Sequence, residues 1–215
     1  MHRVLSGIKI TSLKTLAEAI TAIHKIYSVP HIIITSVQLS RFTPETPDTP
    51  SSPNNLTVIG STTRSDGSPR LFRIDVPALD CYFSGTGDMF AALTVARIRE
   101  AVFATGPELQ NVKSWVSPDE VAPTDLPLAK STVKVLESMH SVLEKTLEAR
   151  DAELRAAITA ETAGVSEEEQ RKQENLRQTK AAEVRLVRNA RFLREPTASF
   201  QAQEWRKEDL PGTLQ

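Results

Sequence analysis

The chain reads as an α/β protein on three observations. A helix-period stretch is followed by a short β-branched run near the N-terminus. Two strand-like runs are then joined by an Asp-Gly turn, and residues 71–105 give strand, glycine loop and helix in succession. Residues 11–27 come first: Leu13, Leu16, Ala17, Ile20, Ile23 and Tyr27 fall on one helical stripe, and Thr11 or Ser12 supplies a cap. Residues 31–37, His-Ile-Ile-Ile-Thr-Ser-Val, form a continuous apolar run ending in hydroxyls, which predicts a parallel strand buried on both faces. Because ligands of open α/β sheets gather at the carboxyl ends of strands, Thr35 and Ser36 are candidate phosphate contacts; capping a turn is the plainer reading. Ser40 to Asn54 then places Pro44, Pro47, Pro50 and Pro53 at every third position among polar residues, a composition that predicts a mobile loop. Residues 56–62 and 70–75 read as two strands of a hairpin with Asp66-Gly67 at its tip.

The next segment carries the chemistry. Leu71 to Pro77 predicts a strand stopped by its proline, and the helix that follows keeps apolar residues at 89, 90, 93, 95, 96 and 98 with no Gly or Pro before 106. Between them lies Phe83-Ser84-Gly85-Thr86-Gly87-Asp88-Met89-Phe90. Two glycines around a threonine let the backbone turn so that Gly85, Thr86 and Gly87 point successive amides at one anion, where the helix dipole is positive. Asp88 stands in the first turn, a poor phosphate ligand but a suitable base for a hydroxyl attacking phosphorus. The alternative is a strand-to-helix loop whose glycines merely turn and whose Asp caps a helix.

After a polar, proline-rich connection from Gly106 to Pro127, Leu128, Val135, Leu136, Met139, Val142, Leu143 and Leu147 predict a long helix with a core-facing stripe. The stripe thins beyond Leu147. A coiled coil over 128–182 is the sharper alternative, but its a/d pattern lasts scarcely two heptads before Arg150. Residues 166–180 are almost without apolar side chains, so a solvated helix or a disordered insertion is expected near 150–182. Glu183 to Val187 alternates like a last, edge strand.

Val76-Pro77-Ala78-Leu79 through Gly85-Thr86-Gly87-Asp88 to Leu93 resembles the second signature of the ribokinase-like superfamily, in its pyridoxal kinase branch of the fungal and animal type. Gly7 to Ile10, Pro30 to Ser36, Glu183 to Val187 and Arg194-Glu195-Pro196 look like successive landmarks of the same kinases, so the resemblance runs from about residue 5 to about residue 203. Kinases of the thiamine-precursor branch usually carry Cys where this chain has Asp88, and sugar kinases usually carry Ala in place of Thr86; Thr86 with Phe90 favours pyridoxal. The resemblance implies a three-layer α/β/α sandwich, incomplete, with this chain as the C-terminal part of a single domain. The half holding the first strands, most of the vitamin pocket, the lid and an acidic metal-site residue would precede it.

It also implies ATP with Mg2+, often helped by K+. Adenine would lie near Val76, Pro77, Ala78 and Leu79, phosphates toward Thr35, Ser36 and the Gly85–Gly87 amides, and Asp88 would take the proton of the 5′-hydroxymethyl of pyridoxal. No metal ligand is identified in this portion. A homodimer is expected on the same ground. The alternative function is a non-catalytic remnant or interaction protein retaining at most ATP binding.

Composition agrees with a globular piece: 215 residues, 40% apolar and 25% charged. A net charge of −1 gives no basic field for nucleic acid or anionic membrane. No run reaches the ~20 apolar residues of a span, and neither a basic-then-apolar leader nor a disulfide pair is present, since Cys81 is the only cysteine. A cytoplasmic location, with the nucleus also open, is the resulting expectation, and Cys81 reads as packing. His2, His24, His31 and His140 lack the spacing of a metal or nucleophile site and are assigned no chemistry.

Overall fold

The computed structural model describes residues 5–38, 55–158 and 167–205, so the expected loop at 40–54 lies outside the described residues. Helix α1, Leu13–Tyr27, begins where Ser12 accepts from the Thr15 amide and the Thr15 hydroxyl accepts from the Ser12 amide, a reciprocal cap. Its stripe of Leu13, Leu16, Ala17 and Ile20 packs against Ile34, Ile59, Leu71 and Trp205. Tyr27 departs from the expected stripe: it is half-exposed past the last packed turn, and its hydroxyl donates to the Leu5 carbonyl at 3.1 Å.

Four strands follow, β1 (His31–Val37), β2 (Asn55–Thr63), β3 (Pro69–Pro77) and β4 (Gln203–Glu204), in spatial order β1-β2-β3-β4 with every pair antiparallel. The hairpin is as expected. Arg64 donates to the Ser68 carbonyl, Gly67 takes φ +80° at the tip, and the Asp66 carboxylate accepts from the Ser68 amide at 2.8 Å. Phe72 sits opposite Gly60, its ring filling the space that a side chain there would occupy.

β1 overturns one expectation. Among the described residues it is an edge strand antiparallel to β2, and of its apolar residues only Ile34 is buried. A continuous apolar run reports burial pressure but not the direction of its partner, and here the partner is the hairpin. The register shifts between Ile34 and Val37, and Ser36 adopts φ +60° at that irregularity.

Polar groups brace the same sheet. The His24 ring spans the Val29 carbonyl at 2.6 Å and the Ser61 hydroxyl at 2.7 Å, while His31 spans the Thr62 hydroxyl and the Ser114 carbonyl. Arg70 is buried and donates to the carbonyls of Thr63, Ser117, Pro118 and Val121. His24 and His31 thus tie the sheet to the segments beside it.

Helices α2 (Thr86–Thr105), the single turn α3 (Pro107–Gln110), α4 (Pro127–Ile158) and α5 (Glu167–Ala181) follow, with short 3-10 turns at Lys113–Trp115, Pro123–Asp125 and Ala190–Leu193, and no helix among the described residues is long and apolar enough to cross a membrane. The chain divides into two compact units: Met1–Ala78, Thr94–Lys134 and Phe200–Gln215 form the first, Leu79–Leu93 and Val135–Ser199 the second. The core of the second gathers Met89, Val135, Met139, Val142 and Phe192, as the stripe of α4 predicts. α4 continues through Arg150, and α5 is a solvated helix with Leu176 exposed.

Glu183 to Val187 is not a strand. Glu183 makes one isolated parallel bridge with Ser84, and turns follow. The alternation there serves packing and charge pairing instead: Val184 joins the second core and Arg185 pairs with Glu153 at 2.8 Å. The last strand is β4, paired with Phe72 and Arg73.

Candidate functional site

The loop ahead of α2 is held from both sides. Ser84 donates to the Ala182 carbonyl and accepts from the Val184 amide, while Phe83 before it and Met89 after it are buried. Between those anchors Ser84, Gly85, Gly87 and Asp88 are exposed and Thr86 is half-buried. Gly85 takes φ +88°, a conformation that any side chain would strain. The first helical bond runs from the Met89 amide to the Gly85 carbonyl at 3.2 Å. Helix geometry consequently leaves the amides of Thr86, Gly87 and Asp88 with no carbonyl four residues back, at the positive end of the dipole. A Cβ at Gly87 would meet nothing within 4 Å. Gly87 is therefore not demanded by packing inside the chain; what it preserves is bare backbone facing open space.

This turn can hold an anion on its amides and offers the Asp88 carboxylate beside it as a proton acceptor. The predicted Gly85, Thr86, Gly87 and Asp88 thus share one turn.

The other candidates divide differently. Thr35 and Ser36 are exposed at the carboxyl end of β1; Val76 and Pro77 close β3, half-buried and exposed in turn. The register brings these two strand ends to one end of the sheet, because β2 pairs Thr57 with both Val37 and Asp75, and Leu56 with Val76. Thr57 and Asp75 are joined there by a 2.6 Å hydrogen bond. Ala78 closes this part of the first unit, whereas Leu79 opens the second. Among the described residues no three His, Cys, Asp or Glu side chains gather as a metal site.

Sequence reasoning missed two features. Ala182 and Val184 register the glycine loop, although 150–182 reads as an insertion; the one available signal was the apolar pair Ala181-Ala182 closing a charged run. An open cleft of about 400 Å³, lined by Glu153, Lys180 and Glu183 to Arg188, lies in the second unit, with the Arg185–Glu153 pair as part of its wall. Hydrogen bonding to Arg185 holds the Glu153 carboxyl below its ordinary range.

Comparison with known proteins supplies the fold. No protein-family model matches the chain. It is similar to two Schizosaccharomyces pombe proteins, each named "putative pyridoxal kinase": one is 29% identical over 143 residues, the other 30% over 145. Each match takes in 66% of this chain but only 38% and 37% of those relatives, so the chain spans less than two fifths of their length. The solved pyridoxal kinase of Leishmania donovani in complex with ADP and pyridoxine superposes with a TM-score of 0.56 at 18% identity, covering 95% of this chain and 48% of that one. The chain therefore has an α/β fold shared with part of that pyridoxal kinase, as the resemblance implies.

Proposed function

We propose that this chain is the nucleotide and general-base portion of a pyridoxal kinase, acting in ATP-dependent phosphorylation of the 5′-hydroxymethyl group of pyridoxal to pyridoxal 5′-phosphate. One observation carries the reading: the first turn of α2 exposes free-standing amides, a glycine that no internal contact requires, and a carboxylate. The likeness to proteins named as pyridoxal kinases, and to one solved with ADP and pyridoxine, supports it. In this reading the Gly85, Thr86 and Gly87 amides hold phosphate oxygens while Asp88 takes the hydroxymethyl proton. The freed oxygen attacks the γ-phosphorus in line, the bond to the ADP oxygen breaks, and charge developing on the transferred group falls on the helix N-terminus. Thr35 and Ser36 contact phosphate, and Val76 to Leu79 line the adenine. Mg2+ in this chemistry neutralises nucleotide phosphate charge; the described donors do not form a cage for it, so no residue here is assigned to it and no step runs through it. Cytoplasmic location and a homodimer belong to the same proposal, on the resemblance alone.

A second reading is nucleotide binding without turnover, favoured because the chain matches under two fifths of its relatives. ATP-dependent formation of pyridoxal 5′-phosphate by the purified chain, run beside Asp88→Asn, separates the two. The kinase reading expects product, reduced about 10²–10⁴-fold in the variant by loss of a general base. ATP binding with no product in either protein supports the second reading, and product unaffected by Asp88→Asn removes Asp88 from its role.

A further inference from the structure

We propose that the arginine row of residues 185–194, with the cleft it adjoins in the second unit, is a docking surface for an extended acidic peptide segment of another protein. The inference goes beyond the kinase reading and does not depend on it.

Residues 180–195 carry five cations and two carboxylates, a segregation that the net charge of −1 conceals. Arg185, Arg188, Arg191 and Arg194 recur at every third position, and the backbone turns with nearly the same period. The Asn189 amide donates to the Arg185 and Leu186 carbonyls, the Phe192 amide to the Asn189 carbonyl, and the Arg194 amide to the Arg191 carbonyl. In such tight turns side chains three apart stand over one another. Burial agrees: Arg188, Arg191 and Arg194 are exposed, whereas Asn189 is half-buried and Phe192 enters the second core. Three guanidinium groups therefore form a row on the outer side of this segment.

The row is uncompensated. Arg185 is held by Glu153, but no carboxylate among the described residues lies within ion-pair distance of Lys180, Arg188, Arg191 or Arg194. Arg191 is already oriented, its guanidinium 4.6 Å from the Phe192 ring centre, so less freedom is lost when it meets a partner. At Arg188 the row runs into the cleft of about 400 Å³, whose lining includes Lys180, Leu186 and the 91% exposed Val187. Cations and bare aliphatic side chains thus share one wall. The spacing selects the partner. Three residues of a 3-10 turn advance about 6 Å and alternate residues of an extended strand about 6.6 Å, so carboxylates on one face of an extended peptide can meet successive guanidinium groups. Arginine holds each carboxylate through paired N–H donors, and an apolar side chain of the peptide would lie in the cleft against Leu186 and Val187. Nucleic acid fits worse, because Phe192, the one aromatic residue of the segment, is buried and leaves no platform for bases. An anionic membrane fits worse too, since Leu186 and Val187 line a cleft and do not form the apolar face of an interfacial helix.

The test titrates the purified full-length chain into a fluorescently labelled peptide of alternating glutamate and serine ending in two leucines, beside its glutamine counterpart, and reads anisotropy. The glutamate peptide should bind saturably and about tenfold or more tighter than the glutamine one, and raising the salt from about 50 to about 500 mM should weaken it by a similar factor. Arg188→Gln with Arg191→Gln should weaken binding about tenfold or more, and Val187→Ser about threefold. Lys25→Gln with Lys113→Gln removes the same charge from exposed positions of the first unit and should leave binding intact. Circular dichroism melts establish that the variants are folded. Absence of saturable binding, binding indifferent to the arginine substitutions, an equal loss in the lysine pair, or displacement of the peptide by ATP would each overturn the proposal. So would tighter binding of a single-stranded oligonucleotide or of anionic phospholipid vesicles than of the peptide. The readout needs no turnover, so its failure leaves the kinase reading standing, and a chain without kinase activity that binds the peptide overturns the activity alone.

Discussion

Gly87 has no internal reason to be glycine. It lies in the first turn of a helix, its Cβ position faces open space, and glycine in a helix costs about 0.5–1 kcal/mol relative to alanine. Gly87→Ala should therefore leave the melting temperature unchanged or raise it slightly. The added methyl would stand where a phosphate approaches the amides, so ATP affinity measured by calorimetry should fall about tenfold, equivalent to about 1.4 kcal/mol. A variant that is no more stable yet binds ATP as before would mean the turn holds no nucleotide. Gly60 gives the opposite case, since the fully buried Phe72 ring occupies the place of its side chain. Gly60→Ala must push that ring or the β2–β3 ladder aside, and a loss of about 1–3 kcal/mol is expected from overpacking, read as a lower urea midpoint. The Phe72→Leu background, with no ring against the new methyl, should soften the loss.

Elements set by local chemistry were legible in the sequence. The Ser12 cap, the Asp66-Gly67 turn, the Pro77 stop and the uninterrupted run to Thr105 each depend on neighbours a few residues away, and each stands where the sequence puts it. Two strand expectations failed for one reason. Whether Ile32-Ile33-Ile34 is central or at an edge, and whether Glu183–Val187 pairs at all, is decided by partners 25 or more residues distant, β2 for the first and Ser84 for the second. The glycine turn and Asp88 were legible for the local reason too, whereas the Ala182 and Val184 anchors behind them were not. The His24 and His31 braces were equally invisible and set the pH response of the sheet. Burial lowers both pKa values from the ordinary 6.5, with the nearby Arg70 and His24 charges adding to the effect at His31. The folded state thus resists the proton that the unfolded chain accepts. Their contribution is complete above about pH 6.5 and is lost as the pH falls below it, with a slope of up to about 1.4 kcal/mol per pH unit for each ring. Urea midpoints measured from pH 7.5 to 5 should decline, and His31→Gln should flatten the decline.

At the scale of the molecule, two cores among the described residues bear on how the chain unfolds. The first gathers around α1 and the sheet, the second around Met89, α4 and Phe192, and no residue is common to both. Both tryptophans, Trp115 and Trp205, belong to the first unit, with Trp205 buried in its core. Their fluorescence therefore reports that unit, whereas far-ultraviolet circular dichroism also takes in α5 and the part of α4 from Val135 onward in the second. A two-state protein would give coincident transitions by the two probes. Separate cores predict that they diverge, and Met139→Ala assigns the difference. Truncating this buried residue should cost the second unit about 2–5 kcal/mol, shifting the dichroism transition to lower denaturant while the fluorescence midpoint holds. A substitution that moves both transitions together would show that the two cores fold as one cooperative block.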